Sequence, residues 1–249
     1  MSVSVVIPCY NERAAVPQLA AGIRPVLDEL ERRHGSCELV LVDDGSSDGT
    51  VDALLQALGS DPRVRLLRHE HNRGLGAALR TGFAAARGEI IVTTDADGTY
   101  DFVEIPALLE RMGPEVDIVT ASPYHPEGGV EGVPAYRLAL SRGASLIYRL
   151  LLDRRVHTYT SMFRAYRRGV LERVRFCSPG YLAMAEILAE ALLAGSTVAE
   201  FPAVLRVRRY GQSKARVLRI MVDHLRFQMG LLGRSAARRV GLHRCGGSR

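Results

Sequence analysis

Leu39-Val40-Leu41-Val42-Asp43-Asp44-Gly45-Ser46-Ser47-Asp48-Gly49-Thr50 passes from an unbroken apolar run, through acidic and small residues, to a helix-starting threonine. It reads as a buried strand over 39–42 whose end turns, by Asp, Gly and Ser chemistry, into a helix over 50–58. On either side the same rhythm repeats. A strand over 3–7 precedes a helix over 12–31, one over 64–67 precedes a helix over 75–86, and strands over 90–93 and 117–120 bracket a helix over 103–112. Such alternation implies an α/β fold of Rossmann-like type, with a mainly parallel sheet and helices on both faces. Ligands of these sheets bind beyond the carboxyl ends of the strands. The polar clusters fall there: Pro8-Cys9-Tyr10-Asn11-Glu12, Asp43-Asp44-Gly45-Ser46 and Asp95-Ala96-Asp97-Gly98.

After residue 120 the rhythm breaks into a Pro- and Gly-rich loop over 122–134, long enough to be suspected of acting as a substrate lid. Helices follow over 136–152 and 182–194, then short strands over 197–201 and 204–207. A last helix over 214–232 carries Leu218, Met221, Val222, Leu225, Met229 and Leu232 at helical spacing. The expected division is a catalytic domain over 1–212 and a basic amphipathic helix and tail over 213–249.

With 249 residues, 47% hydrophobic and 24% charged, the chain is of ordinary globular composition, which excludes the disordered, collagenous and disulfide-scaffold classes. No run reaches the roughly 18–20 apolar residues of a bilayer span, and the first residues are strand-like without a basic leader. The expectation is therefore a protein neither secreted nor transmembrane. Cys9, Cys37, Cys177 and Cys245 lie far apart with no CxxC pair, so they read as reduced, mostly buried thiols of a cytoplasmic protein, with no disulfide or zinc site. The net charge of +6 hides a split: residues 1–202 hold 21 Arg against 26 Asp and Glu, whereas residues 203–249 hold 11 Arg and one Lys against Asp223 alone. A mildly acidic body thus carries a basic tail, which suits an anionic partner, nucleic acid or a membrane surface.

Asp95 and Asp97, one residue apart at a strand end, can hold a hard cation from one side and leave positions for phosphate oxygens and water, as Mg²⁺ or Mn²⁺ sites do. The substrate so implied is a diphosphate. At least one of Asp43 and Asp44 is assigned to a nucleoside, while Ser46, Ser47 and Asp48 read as local turn and cap chemistry. Gly74-Leu75-Gly76 lacks the third glycine of a dinucleotide fingerprint and sits at the third strand–helix unit, so its glycines are ascribed to close helix packing or substrate approach. His69 and His71 read as surface residues.

Together, Val5-Val6-Ile7-Pro8-Cys9-Tyr10-Asn11-Glu12, Val42-Asp43-Asp44-Gly45-Ser46-Ser47-Asp48-Gly49-Thr50, Asn72-Arg73-Gly74-Leu75-Gly76 and Asp95-Ala96-Asp97 resemble family 2 glycosyltransferases of the GT-A fold. Arg137-Leu138-Ala139-Leu140-Ser141-Arg142-Gly143-Ala144, Met162-Phe163-Arg164-Ala165-Tyr166-Arg167 and Arg208-Arg209-Tyr210-Gly211-Gln212-Ser213-Lys214 look like dolichyl- or polyprenyl-phosphate mannose synthases. The resemblance implies that Pro8, Tyr10, Glu12 and one of Asp43 and Asp44 cradle the nucleoside. It further implies that Asp95 and Asp97 hold metal and diphosphate, that Arg208 contacts the diphosphate, and that Arg137 and Ser141 receive the lipid phosphate. An arginine and a hydroxyl at i and i+4 also face the same way on a helix and can grip one phosphate. Lys214, the only lysine, is placed with the acceptor residues. The chain departs from the synthases at Ala121-Ser122-Pro123, where they often read Gly-Ser-Arg, and at Gly98-Thr99, where they commonly have Gln or His.

The expected activity is an inverting, metal-dependent transfer of a hexose, mannose foremost, from a GDP- or UDP-sugar to a polyprenyl phosphate by a peripheral protein at the cytoplasmic face of a membrane. Its first rival is a transferase to a hydroxyl acceptor, for which Glu186 is the candidate base. Its second is a non-enzymatic basic-tailed binding protein. Only Tyr210 and Phe227 interleave the tail arginines, so single-strand stacking has little support and no nucleic-acid partner is expected. For the last helix two arrangements stay open: the apolar stripe lies in an anionic membrane interface, or it packs on the body while the arginines face water.

Overall fold

A computed structural model of the chain describes residues 1–207 and the backbone of 217–244, with side chains over 218–233 of the latter. The first half runs β1 (Ser2–Cys9), α1 (Val16–His34), β2 (Ser36–Asp43), α2 (Thr50–Leu58), β3 (Val64–Arg68), α3 (Leu75–Ala85), β4 (Ile90–Thr93), α4 (Ile105–Glu110) and β5 (Ile118–Ser122). The second half runs β6 (Gly129–Glu131), α5 (Ala135–Leu151), β7 (Arg164–Arg167), α6 (Arg168–Arg173), α7 (Leu182–Leu193), β8 (Val198–Pro202), β9 (Val204–Arg206) and α8 (Val217–Arg244). Seven strands form one sheet in the order β3-β2-β1-β4-β7-β5-β8, parallel except for β7, as the repeating strand–helix rhythm requires.

β1 and β2 pair from Ser2↔Ser36 to Cys9↔Asp43 and are buried on both faces, which is why both are nearly continuous apolar runs. Their alternate residues serve two cores. Val5, Ile7, Leu39 and Leu41 pack with Ile23, Leu27 and Leu30 of α1 on one face, while Val6, Val40 and Val42 pack with Ala78 of α3 on the other. A third cluster lies around α7, where Ala183, Ile187 and Leu188 meet Tyr148, Tyr159 and Tyr166.

β7 is absent from the sequence reading. Its Arg-Ala-Tyr-Arg composition hides a strand inserted antiparallel between β4 and β5. Arg164 is fully buried and is satisfied without an acidic partner among the described residues. Its Nε donates to Thr120 Oγ1 at 2.9 Å, and its two terminal nitrogens donate to the carbonyls of Tyr159 and Met184. α4 is shorter than expected because a 3-10 turn, Phe102–Glu104, opens it, with the Asp101 side chain accepting from the Val103 amide. The 122–134 loop contains a strand, since β6 pairs in parallel with β9 to form a separate two-stranded sheet.

α8 bears on the two arrangements open for the apolar stripe. The residues it turns inward are partly polar: His224 Nδ1 meets the Tyr148 hydroxyl at 2.9 Å, Gln228 Nε2 donates to the Ala144 carbonyl at 3.1 Å, and Leu231 is buried in the cluster that contains Tyr148. Leu218, Val222, Leu225, Met229 and Leu232 face outward, Leu218 at 83% and Met229 at 70% exposure. These five residues are not packed on the body, whereas Met221 of the same stripe is half-buried, and Arg219 and Arg226 are exposed. Among the described residues, no helix is long and apolar enough to cross a membrane.

Candidate active site

The carboxyl ends of β1, β2 and β4 open into one cavity of about 760 Å³, closed on the far side by α5 and α8. Pro8, Tyr10 and Glu12 line it after β1, Asp44 after β2, Asp95, Asp97 and Thr99 after β4, and Arg137 and Ser141 from α5. Eight residues singled out in the sequence thus share one space: Pro8, Tyr10, Glu12, Asp44, Asp95, Asp97, Arg137 and Ser141.

The turns that build this end of the sheet are tied to each other. Asn11 adopts a left-handed φ of 52°, tolerable for asparagine. In that pose its amide donates to Ser46 Oγ at 2.8 Å and its Oδ1 accepts the Ser47 amide at 2.8 Å. The Glu12 amide donates to Thr50 Oγ1 at 2.8 Å. Gly45, at φ +74°, lies so close to the following segment that a Cβ would sit 2.4 Å from the His71 carbonyl carbon, so no other residue fits there. A Cβ on Gly76 would meet the Ser178 carbonyl oxygen at 2.0 Å; close packing of α3 on the 178–179 loop is the reason for that glycine.

Asp43 and Asp44 point different ways, as successive residues at a strand end do. Asp44 lines the cavity and holds its wall: Oδ1 is 2.7 Å from His69 Nδ1 and accepts the Arg73 amide at 2.9 Å, while Oδ2 accepts Asn72 Nδ2 at 2.9 Å and the Gly74 amide at 2.8 Å. Asp43 is fully buried behind it and accepts the Ser46 amide at 3.1 Å. Asp43 does not line the cavity, and its Oδ1 is buried without a hydrogen-bond partner among the described residues. The reading of His69 as a surface residue is corrected. The ring is buried between Asp44 and Thr81 Oγ1, whereas His71 is exposed as expected.

Asp97 Oδ1 accepts the Thr99 amide at 3.0 Å, and the Thr99 hydroxyl lies 3.4 Å from Asp95 Oδ2, which keeps both carboxylates at the mouth of the turn. Among the described residues no group of three His, Cys, Asp or Glu could hold a metal. The two aspartates nonetheless supply the hard oxygen donors that Mg²⁺ or Mn²⁺ prefers, and such ions take remaining ligands from phosphate and water. The donor set fits.

On α5, Ser141 Oγ is 2.8 Å from Thr160 Oγ1, and the Arg137 guanidinium lies 5.9 Å from the Tyr136 ring centre with Nε donating to its hydroxyl at 3.2 Å. Tyr124, from the 122–134 loop, also lines the cavity beneath Arg142, 5.1 Å from its ring centre, and burial pushes its phenol pKa up. Thr160, Tyr124 and Tyr181 carried no motif signal, because they reach the cavity only through tertiary folding. Cys9 lines the cavity as an inert thiol whose pKa is pushed up, chiefly by burial and then by the charges of Glu12 and Asp43. Cys37 is buried as well, whereas Cys177 is exposed.

Glu186, the candidate base for a hydroxyl acceptor, is not a surface residue. It is 9% exposed, is not among the cavity-lining groups, and its two oxygens accept the amides of Cys177 and Ser178 at 3.0 and 2.9 Å. Its carboxylate is committed to holding the 177–178 loop on α7. Arg208 and Lys214 lie outside the described residues.

Residues 4–175 match the family model for glycosyl transferase family 2. The chain belongs to that family. As a family 2 glycosyltransferase it is an enzyme, and the reading as a non-enzymatic binding protein falls. This family 2 enzyme is 36% identical, over 84% of its length and 79% of the other's, to the polyprenol monophosphomannose synthase of Mycolicibacterium smegmatis. It is also 36% identical, over 86% of its length, to the dolichol-phosphate mannosyltransferase of Pyrococcus furiosus, of which it spans 59%. Its fold is that of the glucosyl-3-phosphoglycerate synthase from Mycobacterium tuberculosis, solved with Mg²⁺ and uridine diphosphate, at a TM-score of 0.69 over 92% of this chain and 79% of that one with 22% identity. The same synthase with Mn²⁺, uridine diphosphate and phosphoglyceric acid gives 0.67 over 100% of this chain and 80% of that one at 23% identity. The GT-A architecture expected from the motifs is the one observed.

Proposed function

We propose that this enzyme transfers a hexose, mannose by relation to the two synthases, from a nucleoside diphosphate sugar to a polyprenyl phosphate at the cytoplasmic face of a membrane. One observation carries the reading: Asp95 and Asp97 share a single cavity with Arg137 and Ser141, and the cavity is bounded by the α5 and α8 helices, whose outer faces are apolar. Pro8, Tyr10 and Glu12 would receive the nucleoside, against the wall that Asp44 holds in place. Asp95 and Asp97 would hold Mg²⁺ or Mn²⁺, which offsets the negative charge gathering on the departing diphosphate. Arg208 is the further residue proposed for that diphosphate, and Lys214 is grouped with the acceptor.

Arg137 and Ser141, one helical turn apart, would grip the acceptor phosphate and aim one oxygen at the anomeric carbon, on the face opposite the leaving group, inverting its configuration. A phosphate is ionised at neutral pH and needs no base. The two backbone amides bonded to Glu186 accord with that economy and weigh against its use as a base for a hydroxyl acceptor. Outward-facing Leu218, Val222, Leu225, Met229 and Leu232 would seat α8 in the membrane interface where the lipid substrate resides.

The test incubates the purified protein and Mn²⁺ with radiolabelled GDP- and UDP-sugars, then partitions the products into organic solvent with and without polyprenyl phosphate. Label moving to the organic phase only with the lipid is expected. Label transferred solely to a soluble sugar hydroxyl would overturn the reading.

A further inference from the structure

A second cavity, of about 640 Å³, lies beside the first, shares Asn72, Gly74, Gly180, Tyr181 and Ile220 with it, and is lined by none of the residues proposed for the transfer reaction. Three arginines line it: Arg73, from the segment between β3 and α3, and Arg219 and Arg226 of α8. Asp223 is its one carboxylate, so the cavity carries a net positive charge. All three arginines are exposed, and among the described residues none is ion-paired to a carboxylate, Asp223 included. Seven residues apart, Arg219 and Arg226 stand on one side of α8, about 10 Å from each other. Three guanidiniums facing one space repel one another, and a phosphate both relieves that repulsion and matches their planar fork.

The neighbouring surface says where the phosphate comes from. Val222 lies three residues after Arg219 and four before Arg226, so the two arginines border the outward apolar stripe of Leu218, Val222, Leu225 and Met229. We propose that this cavity binds the headgroup phosphate of an anionic phospholipid whose acyl chains lie along that stripe. The proposal rests on the membrane placement of α8 argued above. A headgroup held there anchors the enzyme with the mouth of its active cavity turned to the bilayer, where a polyprenyl phosphate presents its own headgroup.

The full chain is assayed by cosedimentation with phosphatidylcholine vesicles containing or lacking phosphatidylglycerol. Three proteins are compared: the parent, the cavity variant R73Q/R219Q/R226Q, and a control variant R32Q/R111Q/R155Q that removes the same charge from exposed sites outside the cavity. At about fivefold per basic residue near an anionic surface, the cavity variant should lose on the order of 100-fold in affinity for phosphatidylglycerol vesicles. The control should lose less than about threefold. R226Q alone, expected at about fivefold, carries the test if the triple variant does not fold. Equal losses in cavity and control variants overturn the headgroup site while leaving the membrane placement standing. No binding of the parent to either vesicle overturns the placement and the site together. Protection of the parent from vesicle binding by millimolar glycerol 3-phosphate supports the site. Arginine-dependent binding of glycerol 3-phosphate with no preference for phosphatidylglycerol assigns the cavity to a soluble phosphate ester and overturns the lipid source.

Discussion

Replacing Asp44 by asparagine removes the charge at the point where the β2 turn holds the 69–74 segment. Each oxygen of the carboxylate serves two groups: His69 Nδ1 and the Arg73 amide on Oδ1, Asn72 Nδ2 and the Gly74 amide on Oδ2. An amide NH₂ in the Oδ2 position would confront two donors. Placed at Oδ1 it fares better, because His69 can switch tautomer, accept at Nδ1 and donate from Nε2 to Thr81 Oγ1, which lies 2.9 Å away. The Arg73 N–H then still faces a donor, at about 1–3 kcal/mol. The remaining bonds also fall from charge-assisted to neutral strength, roughly a halving. The site is only 3% exposed, so water offers little compensation. Asp44→Asn should therefore destabilise the fold by about 3–5 kcal/mol, and at about 2–4 °C per kcal/mol for a domain of this size the melting temperature should fall by roughly 6–20 °C. Asp52→Asn, an exposed carboxylate in the first turn of α2, is the control and should lower it by only about 1–4 °C. Differential scanning calorimetry measures both. An Asp44→Asn protein melting within about 2 °C of the parent would refute the claim that this carboxylate holds the cavity wall.

Glu186→Gln should keep its turnover within about threefold, because its carboxylate supports a loop and does not line the cavity; a loss of 10²–10⁴ with the fold intact by circular dichroism would assign it as a general base. Asp97→Asn should abolish transfer, and excess EDTA should do the same to the parent, so undiminished turnover in EDTA would remove the metal from the proposed reaction. Arg137→Ala and Ser141→Ala should each raise KM for polyprenyl phosphate by about 10- to 150-fold, the worth of a charge-assisted hydrogen bond, and leave nucleotide affinity unchanged by calorimetric titration. Burial holds the His224 pKa down at about 4, below its ordinary 6.5. As pH falls through 6.5 the unfolded chain takes up a proton that the native state refuses, so stability should drop progressively between pH 6.5 and 4. His224→Asn should flatten that part of the melting profile.

Most of the sheet was legible because buried parallel strands leave unbroken apolar runs, and the motif residues sit where such strands end. β7 was not legible: Arg164 and Arg167 disguise it, and only the acceptors supplied by Thr120, Tyr159 and Met184 make a buried guanidinium tolerable there. The two acidic pairs meet the cavity differently. Asp95 and Asp97, two apart on a turning strand end, both line it, whereas of Asp43 and Asp44, adjacent in sequence, only Asp44 does. Glu186 illustrates a limit of residue-type reasoning, since a carboxylate on a helix bonded to a neighbouring loop leaves no pattern in the sequence that separates it from a base.

The final helix shows why periodicity alone could not fix its orientation, and what its orientation costs. The spacing of Leu218, Val222, Leu225, Met229 and Leu232 marks an apolar face but says nothing about whether protein or another phase covers it. Inside the fold, His224 and Gln228 take the positions a core leucine would fill, each with a specific partner on α5. The apolar side chains turned outward are between 43% and 83% exposed, equivalent to about three full side chains. Burying that much in the acyl boundary is worth on the order of 6 kcal/mol at about 2 kcal/mol per side chain. A single myristoyl chain supplies a similar amount and gives only reversible binding. The stripe by itself would therefore leave the enzyme exchanging between membrane and solvent. Exposed Arg219 and Arg226 beside it would add about 1 kcal/mol each against an anionic leaflet, so the two signals together would give stable residence. Because exposed charges are screened over about 8 Å at physiological ionic strength, raising salt should return the enzyme to the reversible regime that the stripe alone sets.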